Sequence, residues 1–557
     1  MSDKPVQKGG GVELPECAAQ FIRQVIRKMR YTRRAQREVQ AELTAHFEDE
    51  LRDCPDAAEK ERKARYLIEE FGDAKLLAAL CRRAKKRCRP MWRKLLVRSV
   101  QAAGVLLLYS LLCSLRLLVG TPSLEVDYLA WLSARTRGNR EEPLNAKPYF
   151  DKAAGLLRDK ELTLRIPAVW PDEMNEPERR ILADVVANNA EAFETLRQGV
   201  TKPYYWVQYE TAVNEPLPDG TAWPAQSVEE PGGLPDPAWA FNRAVAASLP
   251  SYRRLALASR ACILWEAYQG DVSGALDDCL LLMDFGMHLE GRGVETEQLV
   301  GMAIEALGRY LTLLLLDRRD VPTSDLARIQ SRLGDLYVEH ESMIDVTASK
   351  AVWLALVQRT FTDDGTGNGR ALKAGLPLVA RDWKDGLASL LLFHYADRRE
   401  MTSLIDTLYG EYQLTLTTEP SRPQYEEHRT QWTTLAQESF LLGKTAPALD
   451  RMTRLVWRVK TGRRALMTIL GVMRYAKERS VYPPTLDTLV ADGYMNELPI
   501  DPYGGRAFGY QRTKDGFVLY SVGENLTDDG GRQGSDQNGK PRMWADNGDW
   551  VFWPVNP

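Results

Sequence analysis

The chain has 557 residues, of which 44% are hydrophobic and 27% charged. This length is too great for a single hydrophobic core, and the composition excludes wholesale disorder, so we expect three or four folding units. The net charge is −3, but residues 1–94 hold 23 Lys and Arg against 15 Asp and Glu, which leaves −11 for the rest. A basic N-terminal part favours contact with an anionic surface such as a membrane.

Residues 18–88 have the spacing of helices with one apolar face. Apolar residues recur at i, i+4 and i+8 in two successive stretches, and Pro55-Asp56 separates the second from a third that ends at Gly72-Asp73. The residues of the first two stripes are Phe21, Val25, Met29, Val39, Leu43, Phe47 and Leu51. We therefore assign residues 1–94 to a basic helical domain.

An apolar segment, residues 95–120, follows this domain. Residues 99–115 carry no charge, and a helix needs about 20 apolar residues to cross a bilayer. Basic residues crowd its N-terminal side, namely Arg82, Arg83, Lys85, Lys86, Arg87, Arg89, Arg93, Lys94 and Arg98. The positive-inside rule then places the N-terminus in the cytoplasm and the chain after about residue 120 outside it. The sequence predicts one transmembrane helix in a bacterial inner membrane; the alternative is a long helix buried in a protein core.

Two short motifs in the basic domain resemble a known family. Residues 41–49 (AELTAHFED) and 71–78 (FGDAKLLA) are similar to the small helical domain that precedes transmembrane segments in some bacterial permeases and regulators, the permease-prefix or HAAS domain. The similarity covers residues 18–88. It implies an adaptor or regulatory role on the cytoplasmic side, without an enzymatic activity.

Residues 121–249 alternate short helical stretches with proline-rich connections. Residues 177–201 predict one amphipathic helix, which leads into an aromatic cluster at residues 203–206 (PYYW). Exposed, such a cluster would form a binding platform; buried, it would belong to the core.

Residues 250–455 have the punctuation of helical hairpins. Three predicted helices, residues 251–269, 272–290 and 294–316, are separated by Gly270-Asp271 and residues 291–293, and residues 322–325 (PTSD) cap a fourth. Stacked helix pairs of this kind usually bind other proteins. Cys262 and Cys279 flank the first turn, either as a disulfide or as two buried free thiols.

Residues 456–557 predict a C-terminal α+β domain, with a helix through Leu466 and Met473 before short strands at residues 508–512, 517–522 and 550–553. The chain as a whole is therefore predicted to be mainly α.

The C-terminal domain resembles the globular half of the major pseudopilin of type II secretion systems. The similarity rests on the helix, residues 482–486 (YPPTL), residues 498–504 (LPIDPYG) and residues 519–523 (LYSVG), in that order. The resemblance implies a calcium-binding loop, for which the matching positions are Asn525, Asp528, Asp529 and Asp536; a solvated, turn-rich loop is the alternative. Pseudopilins begin with a cleavable leader and a filament-forming helix. This domain instead ends a separately anchored chain, so we do not expect it to polymerise.

The chain does not match the catalytic motifs that we considered, and its five His residues are scattered along the sequence. We therefore expect no enzymatic activity, no nucleic-acid partner and no cofactor other than calcium. The first hypothesis is an envelope protein that binds protein partners through its exported domains, in secretion or surface assembly. The alternative hypothesis is a transmembrane sensor that relays an exported binding event to the cytoplasmic domain.

Overall fold

The computed structural model describes residues 14–87, 91–158, 169–209, 248–339, 344–373 and 396–555, together with Ile166 and Leu378. It is mainly helical with one small antiparallel sheet, as the sequence predicts. The chain divides into two compact units, Met1–Leu111 and Leu112–Pro557, which we call the head unit and the body.

The head unit contains four helices before the apolar segment. Their bounds are Glu16–Met29 (α1), Arg33–Glu50 (α2), Ala57–Phe71 (α3) and Ala74–Arg87 (α4). The two stripes seen in the sequence lie in one core formed by the head helices. The Asp56 side chain caps α3 by accepting a hydrogen bond from the Glu59 amide at 2.7 Å, and Gly72 ends the helix with φ +71°. The predicted breaks are confirmed.

Helix α5 (Met91–Leu118) contains most of the apolar segment, and the boundary between the two units falls within it, after Leu111. Its window Leu95–Leu112 has a mean hydropathy of 1.8, and none of that window is buried. A second helix, Glu295–Arg318, is also long and apolar enough to cross a membrane, with a mean hydropathy of 1.7, but 67% of it is buried within the body.

The first part of the body is helical. Its helices are Tyr128–Arg137 (α6), Lys147–Leu156 (α7), Glu176–Asn188 (α8) and Ala190–Val200 (α9). The single helix predicted at residues 177–201 is wrong, because Asn189 interrupts it. Its buried side chain donates to the Val185 carbonyl at 2.8 Å and accepts from the Arg158 amide at 2.7 Å, which fixes a non-helical backbone there.

The hairpin region follows the predicted order of helices. They are Leu249–Gln269 (α10), Val272–Leu289 (α11), Glu295–Arg318 (α12), Thr323–Glu339 (α13), Thr347–Thr360 (α14), Arg398–Thr417 (α15) and Pro423–Ala436 (α16). Gly270, at φ +83°, ends α10, and the Asp271 side chain caps α11 through the Gly274 amide. Cys262 and Cys279 are buried and free, as in the free-thiol interpretation.

The C-terminal region packs a sheet against a long helix. Helix α17 (Phe440–Arg479) is continuous through residue 455, where the sequence predicts a domain boundary. Helix α18 (Asp487–Ala491) follows it. Strands β1 (Gly509–Arg512), β2 (Phe517–Ser521) and β3 (Trp550–Trp553) form an antiparallel sheet in that order, with Arg512 opposite Phe517 and a bulge after Leu519. One hydrophobic core includes buried residues of α10–α13, α17 and the sheet.

Candidate functional site

A cleft of about 450 Å³ lies in the body, bordered by α13 and α17 and by the segments around residues 417–419 and 497–499. This volume is within the range of ligand-binding pockets. Its lining combines aromatic, aliphatic and charged side chains, which include Tyr337, Val338, Glu419, Trp457, Lys460, Arg463, Arg464, Met467 and Glu497. Val338 and Glu497 lie exposed at its edge.

The basic residues of α17 supply one wall of the cleft. Lys460, Arg463, Arg464 and Met467 follow a spacing of i, i+3, i+4 and i+7, which places them along one side of the helix. The Lys460 ammonium donates to the Leu416 carbonyl at 2.9 Å. The Arg464 guanidinium donates to a Glu419 carboxylate oxygen and to the Ile500 carbonyl, both at 2.8 Å. These cations therefore hold the two segments that border the cleft.

Behind the cleft, Arg463 joins a buried ionic network. It donates to both carboxylate oxygens of Glu290, at 3.1 and 2.8 Å, and to Glu305 at 3.3 Å. Arg309 donates to both oxygens of Glu305, at 3.0 and 2.9 Å. Burial raises the pKa of Glu290 to about 7, although the neighbouring Arg463 opposes that shift. The network ties α12 and the end of α11 to α17 through groups that water does not reach.

Tyr337 contributes an aromatic ring and a hydroxyl to the lining of the cleft. Its hydroxyl is enclosed and has no partner among the described residues, and burial raises its pKa. The Arg463 guanidinium lies 5.2 Å from the centre of its ring. An enclosed hydroxyl without a partner costs about 1–3 kcal/mol, so a bound molecule that supplied an acceptor there would gain affinity.

The segment that follows α5 is fastened to the body by side chains. Arg370 donates to the Val119 carbonyl at 2.6 Å. The side-chain oxygen of Gln358 accepts from the amides of Glu125 and Val126, at 2.8 and 2.9 Å, and its nitrogen donates to the Val126 carbonyl at 3.1 Å. The Gln358 side chain thus both accepts hydrogen bonds from the backbone of residues 125–126 and donates one to it. We call this fastening the α5 clasp.

An ionic group completes the α5 clasp. The buried Arg398 guanidinium pairs with Asp363 at 2.8 Å and with Glu125 at 3.3 Å. The hydrogen bond between the two carboxyl groups raises the pKa of Glu125 and lowers that of Asp363. A cavity of about 410 Å³ lies beside Arg398.

In the C-terminal domain, Asp501 joins two of the motifs noted in the sequence. Its carboxylate is buried and accepts from the Ser521 hydroxyl at 2.8 Å and from the Val522 amide at 3.2 Å. It also accepts from the Tyr503 amide at 3.1 Å. Burial raises the pKa of Asp501, and these hydrogen bonds oppose the shift. The corner at residues 498–504 and the end of β2 are thereby held together.

The residues of the predicted calcium loop are engaged with other side chains or with their own turns. Asp528 accepts from the Arg506 guanidinium at 2.6 Å and from the Tyr520 hydroxyl at 3.0 Å. Asp529 accepts from the Asn525 amide group at 3.0 Å. Asp528 and Asp529, the first two acidic positions of the loop, therefore contact different side chains.

The fourth position, Asp536, lies in a separate turn, where it accepts from the amides of Asn538 and Lys540 at 2.8 and 3.0 Å. Within the described ranges, no group of three or more His, Cys, Asp or Glu side chains is arranged to hold a metal ion. Calcium binding at these four positions stays a prediction.

The aromatic cluster near residue 206 belongs to the core. Trp206 is buried, and Tyr205 and Tyr209 donate to the two oxygens of the buried Glu297 carboxylate, at 3.0 and 2.5 Å. Burial raises the pKa of Glu297, while the two tyrosine hydroxyls lower it. The platform alternative would require these rings to be exposed, and it is therefore wrong.

Comparison of the chain with protein-family models, with curated proteins and with solved structures finds no match. The resemblances to the permease-prefix domain and to the pseudopilin thus rest on the quoted motifs alone.

Sequence reasoning missed the buried network of Glu290, Glu305, Arg309 and Arg463. One signal was present, since Glu305 and Arg309 lie four residues apart in a stretch of α12, residues 299–316, that carries no other charge. Opposite charges pair at this spacing. The partners on α17 lie more than 150 residues away in the chain. No local pattern connects them.

Proposed function

We propose that the chain is a single-pass membrane protein of the bacterial inner membrane, anchored by α5, with the head unit in the cytoplasm and the body exported. The observation that carries this proposal is the window Leu95–Leu112, which is apolar and unburied. An unburied apolar helix of this length matches the thickness of a bilayer. The basic residues that precede it set the orientation by the positive-inside rule.

The body then acts as a non-enzymatic protein-binding module of the cell envelope, in secretion or surface assembly. The open cleft with mixed charges and exposed apolar edges supports this role. The pseudopilin resemblance of the C-terminal domain favours a partner among secretion or surface proteins.

Cross-linking of the full chain in intact cells, followed by pull-down, tests this role. The Val338→Asp variant places a charge at a cleft position that is 77% exposed, so the fold should persist while captured partners fall severalfold. Val490→Asp, at an exposed position outside the cleft lining, is the matched control and should capture partners as the wild type does. Equal capture by both variants would remove the cleft from the proposal.

The same capture experiment in calcium and in chelator tests the loop at Asn525, Asp528, Asp529 and Asp536. A metal-dependent recognition domain loses its partners on chelation. Unchanged capture would exclude that use of the loop.

A transmembrane sensor is the second candidate function, and the α5 clasp favours it. A relay needs firm attachment between the exported part and the membrane helix, and Gln358 and Arg370 provide such an attachment at residues 119–126. Deletion of residues 1–88 separates the two functions. A binding protein keeps its exported partners and its phenotype after the deletion, whereas a sensor loses its output.

A further inference from the structure

Helix α4 of the head unit exposes two leucines on one side. Large exposed apolar side chains in the described head, before the apolar segment, are Tyr66, Leu76 and Leu80. Leu76 is 62% and Leu80 is 53% exposed, and residues four apart share a face of a helix. Adjacent exposed leucines on so small a unit mark a contact surface.

The same helix carries only positive charge. Residues 74–87 contain no Asp or Glu, and four of the basic residues are exposed, namely Lys75, Arg82, Arg83 and Lys86. The other side of the helix belongs to the core of the head unit, through Ala74 and Ala78. Lys85 is turned to the head unit as well, since it pairs with Glu42 at 2.7 Å. The exposed side therefore combines leucines with unopposed basic residues.

We propose that this basic–leucine face (Lys75, Leu76, Leu80, Arg82, Arg83 and Lys86) lies on the anionic phospholipids of the membrane that α5 crosses. The inference rests on the proposed function for the presence of that membrane. A helix with apolar residues beside Lys and Arg is the type that lies in a membrane interface. Each basic residue near an anionic leaflet strengthens binding about fivefold.

The position of α4 in the chain supports a lipid occupant. Only seven residues separate Arg87, at its end, from Leu95, at the start of the apolar window. An extended chain of that length reaches at most about 29 Å, so the anchor keeps α4 close to the membrane surface. A second copy of the face is a poorer occupant, because it would bring like charges together.

The test uses the full chain, one copy per lipid nanodisc, and measures amide hydrogen exchange of residues 74–87. Exchange should be at least about fivefold slower in discs that contain phosphatidylglycerol than in discs of phosphatidylcholine alone. Equal exchange in the two lipids would overturn the proposal.

Variants identify the residues responsible. Leu76→Ser with Leu80→Ser, and separately Lys75→Gln with Arg82→Gln, Arg83→Gln and Lys86→Gln, should remove most of the lipid dependence. The control is Arg33→Gln with Arg37→Gln, which removes exposed positive charge from α2 and should leave the lipid dependence unchanged. Exchange of residues 16–29 reports whether each variant is still folded.

Other occupants give different results. Protection that appears in either lipid only with two chains per disc would assign the face to a dimer contact. Protection by soluble polyglutamate in phosphatidylcholine discs, without an effect of phosphatidylglycerol, would assign it to an acidic polypeptide. Either result overturns the lipid assignment. Both faces of a nanodisc are accessible, so the lipid result does not depend on which side of the cell membrane the head unit occupies.

Discussion

Helices α5 and α12 have almost the same mean hydropathy, 1.8 and 1.7, yet they occupy different surroundings. In α5, side chains such as Leu107 are exposed, and Leu107 itself is 72% exposed. In α12, two thirds of the helix is buried, and the buried part includes Glu305 and Arg309. Helix α12 buries a charged pair near its middle, whereas the charges of α5 lie toward its ends.

Mean hydropathy therefore identifies helices that avoid water, but it does not say whether lipid or protein surrounds them. Helix α12 has the features of a helix that packs on protein, since its charges meet partners and Gly301 lets the backbone of α11 approach. A Cβ at Gly301 would lie 2.5 Å from the Gly286 carbonyl oxygen. Helix α5 shows no such close approach at Gly104, where no atom lies within 4 Å of an added Cβ.

The largest expected effect is the different response of α5 and α12 to an added charge. Val105→Arg with Leu108→Arg in α5 costs about 5–7 kcal/mol of insertion free energy, because each Arg near the centre of a membrane helix costs about 2.5–3.5 kcal/mol. We expect the protein to leave the membrane fraction after an alkaline carbonate wash. The matched change in α12, Leu311→Arg, should leave the protein in the membrane but unfold the body, since Leu311 is 1% exposed. Retention of the α5 variant would contradict its assignment as the anchor.

A second prediction concerns the charges that α12 buries. Arg463→Met removes the cation between Glu290 and Glu305, and the loss of one partner from a buried ion pair costs about 3–5 kcal/mol. Chemical denaturation of the detergent-solubilised chain, followed by tryptophan fluorescence, measures the free energy of unfolding of the body. Arg464→Met, which removes a half-exposed cation of the same helix, should cost about 1 kcal/mol. Equal losses of unfolding free energy in the two variants would show that the buried network stabilises the body no more than the ion pair of Arg464 does.

A third prediction concerns pH. The pKa of Glu290 rises from 4.5 to about 7 on folding. The folded state therefore binds the proton more tightly, and the stabilisation present below pH 4.5 is lost as the pH rises through 7. This loss amounts to about 3 kcal/mol. Glu290→Gln cannot titrate, so its free energy of unfolding should fall less than that of the wild type between pH 4.5 and 7.5. Parallel pH profiles for the two proteins would show that the pKa of Glu290 is not raised.

The smallest effect comes from a matched pair of glycines. Gly301→Ala places a Cβ against the Gly286 carbonyl and should lower the free energy of unfolding of the body by about 1–3 kcal/mol. Gly104→Ala meets no neighbour in α5 and should leave both membrane retention and body stability unchanged. Thermal unfolding of both variants in detergent measures the difference. A destabilising Gly104→Ala change would indicate that α5 packs closely against protein.

The sequence was informative where the determinant of structure is local. The hairpin helices α10–α13 were placed within a few residues, because Gly270 and Asp271 end one helix and begin the next through bonds between neighbours in the chain. The strand at residues 550–553 was placed correctly because consecutive aromatic residues favour strands and end the chain's turn-rich stretch.

The sequence failed where the determinant lies far away in the chain. The break at Asn189 depends on the amide of Arg158, and no local pattern reveals that bond. The cleft depends on α13 and α17, which are separated by about 100 residues. Residues 458–464 form a basic run in the sequence, but the partners of Arg463 and Arg464, namely Glu290, Glu305 and Glu419, come from other elements.

The sidedness of the two chain ends tests the central claim most directly. If α5 crosses the membrane and α12 lies inside the body, the ends lie on opposite sides of the membrane; if both helices cross, the ends lie on the same side. Fusions of a fluorescent protein that folds in the cytoplasm and of alkaline phosphatase, which is active only after export, report the side of each end in living cells. With α5 as the single membrane helix, we expect fluorescence at the N-terminus and phosphatase activity at the C-terminus. Fluorescence at both ends would contradict it.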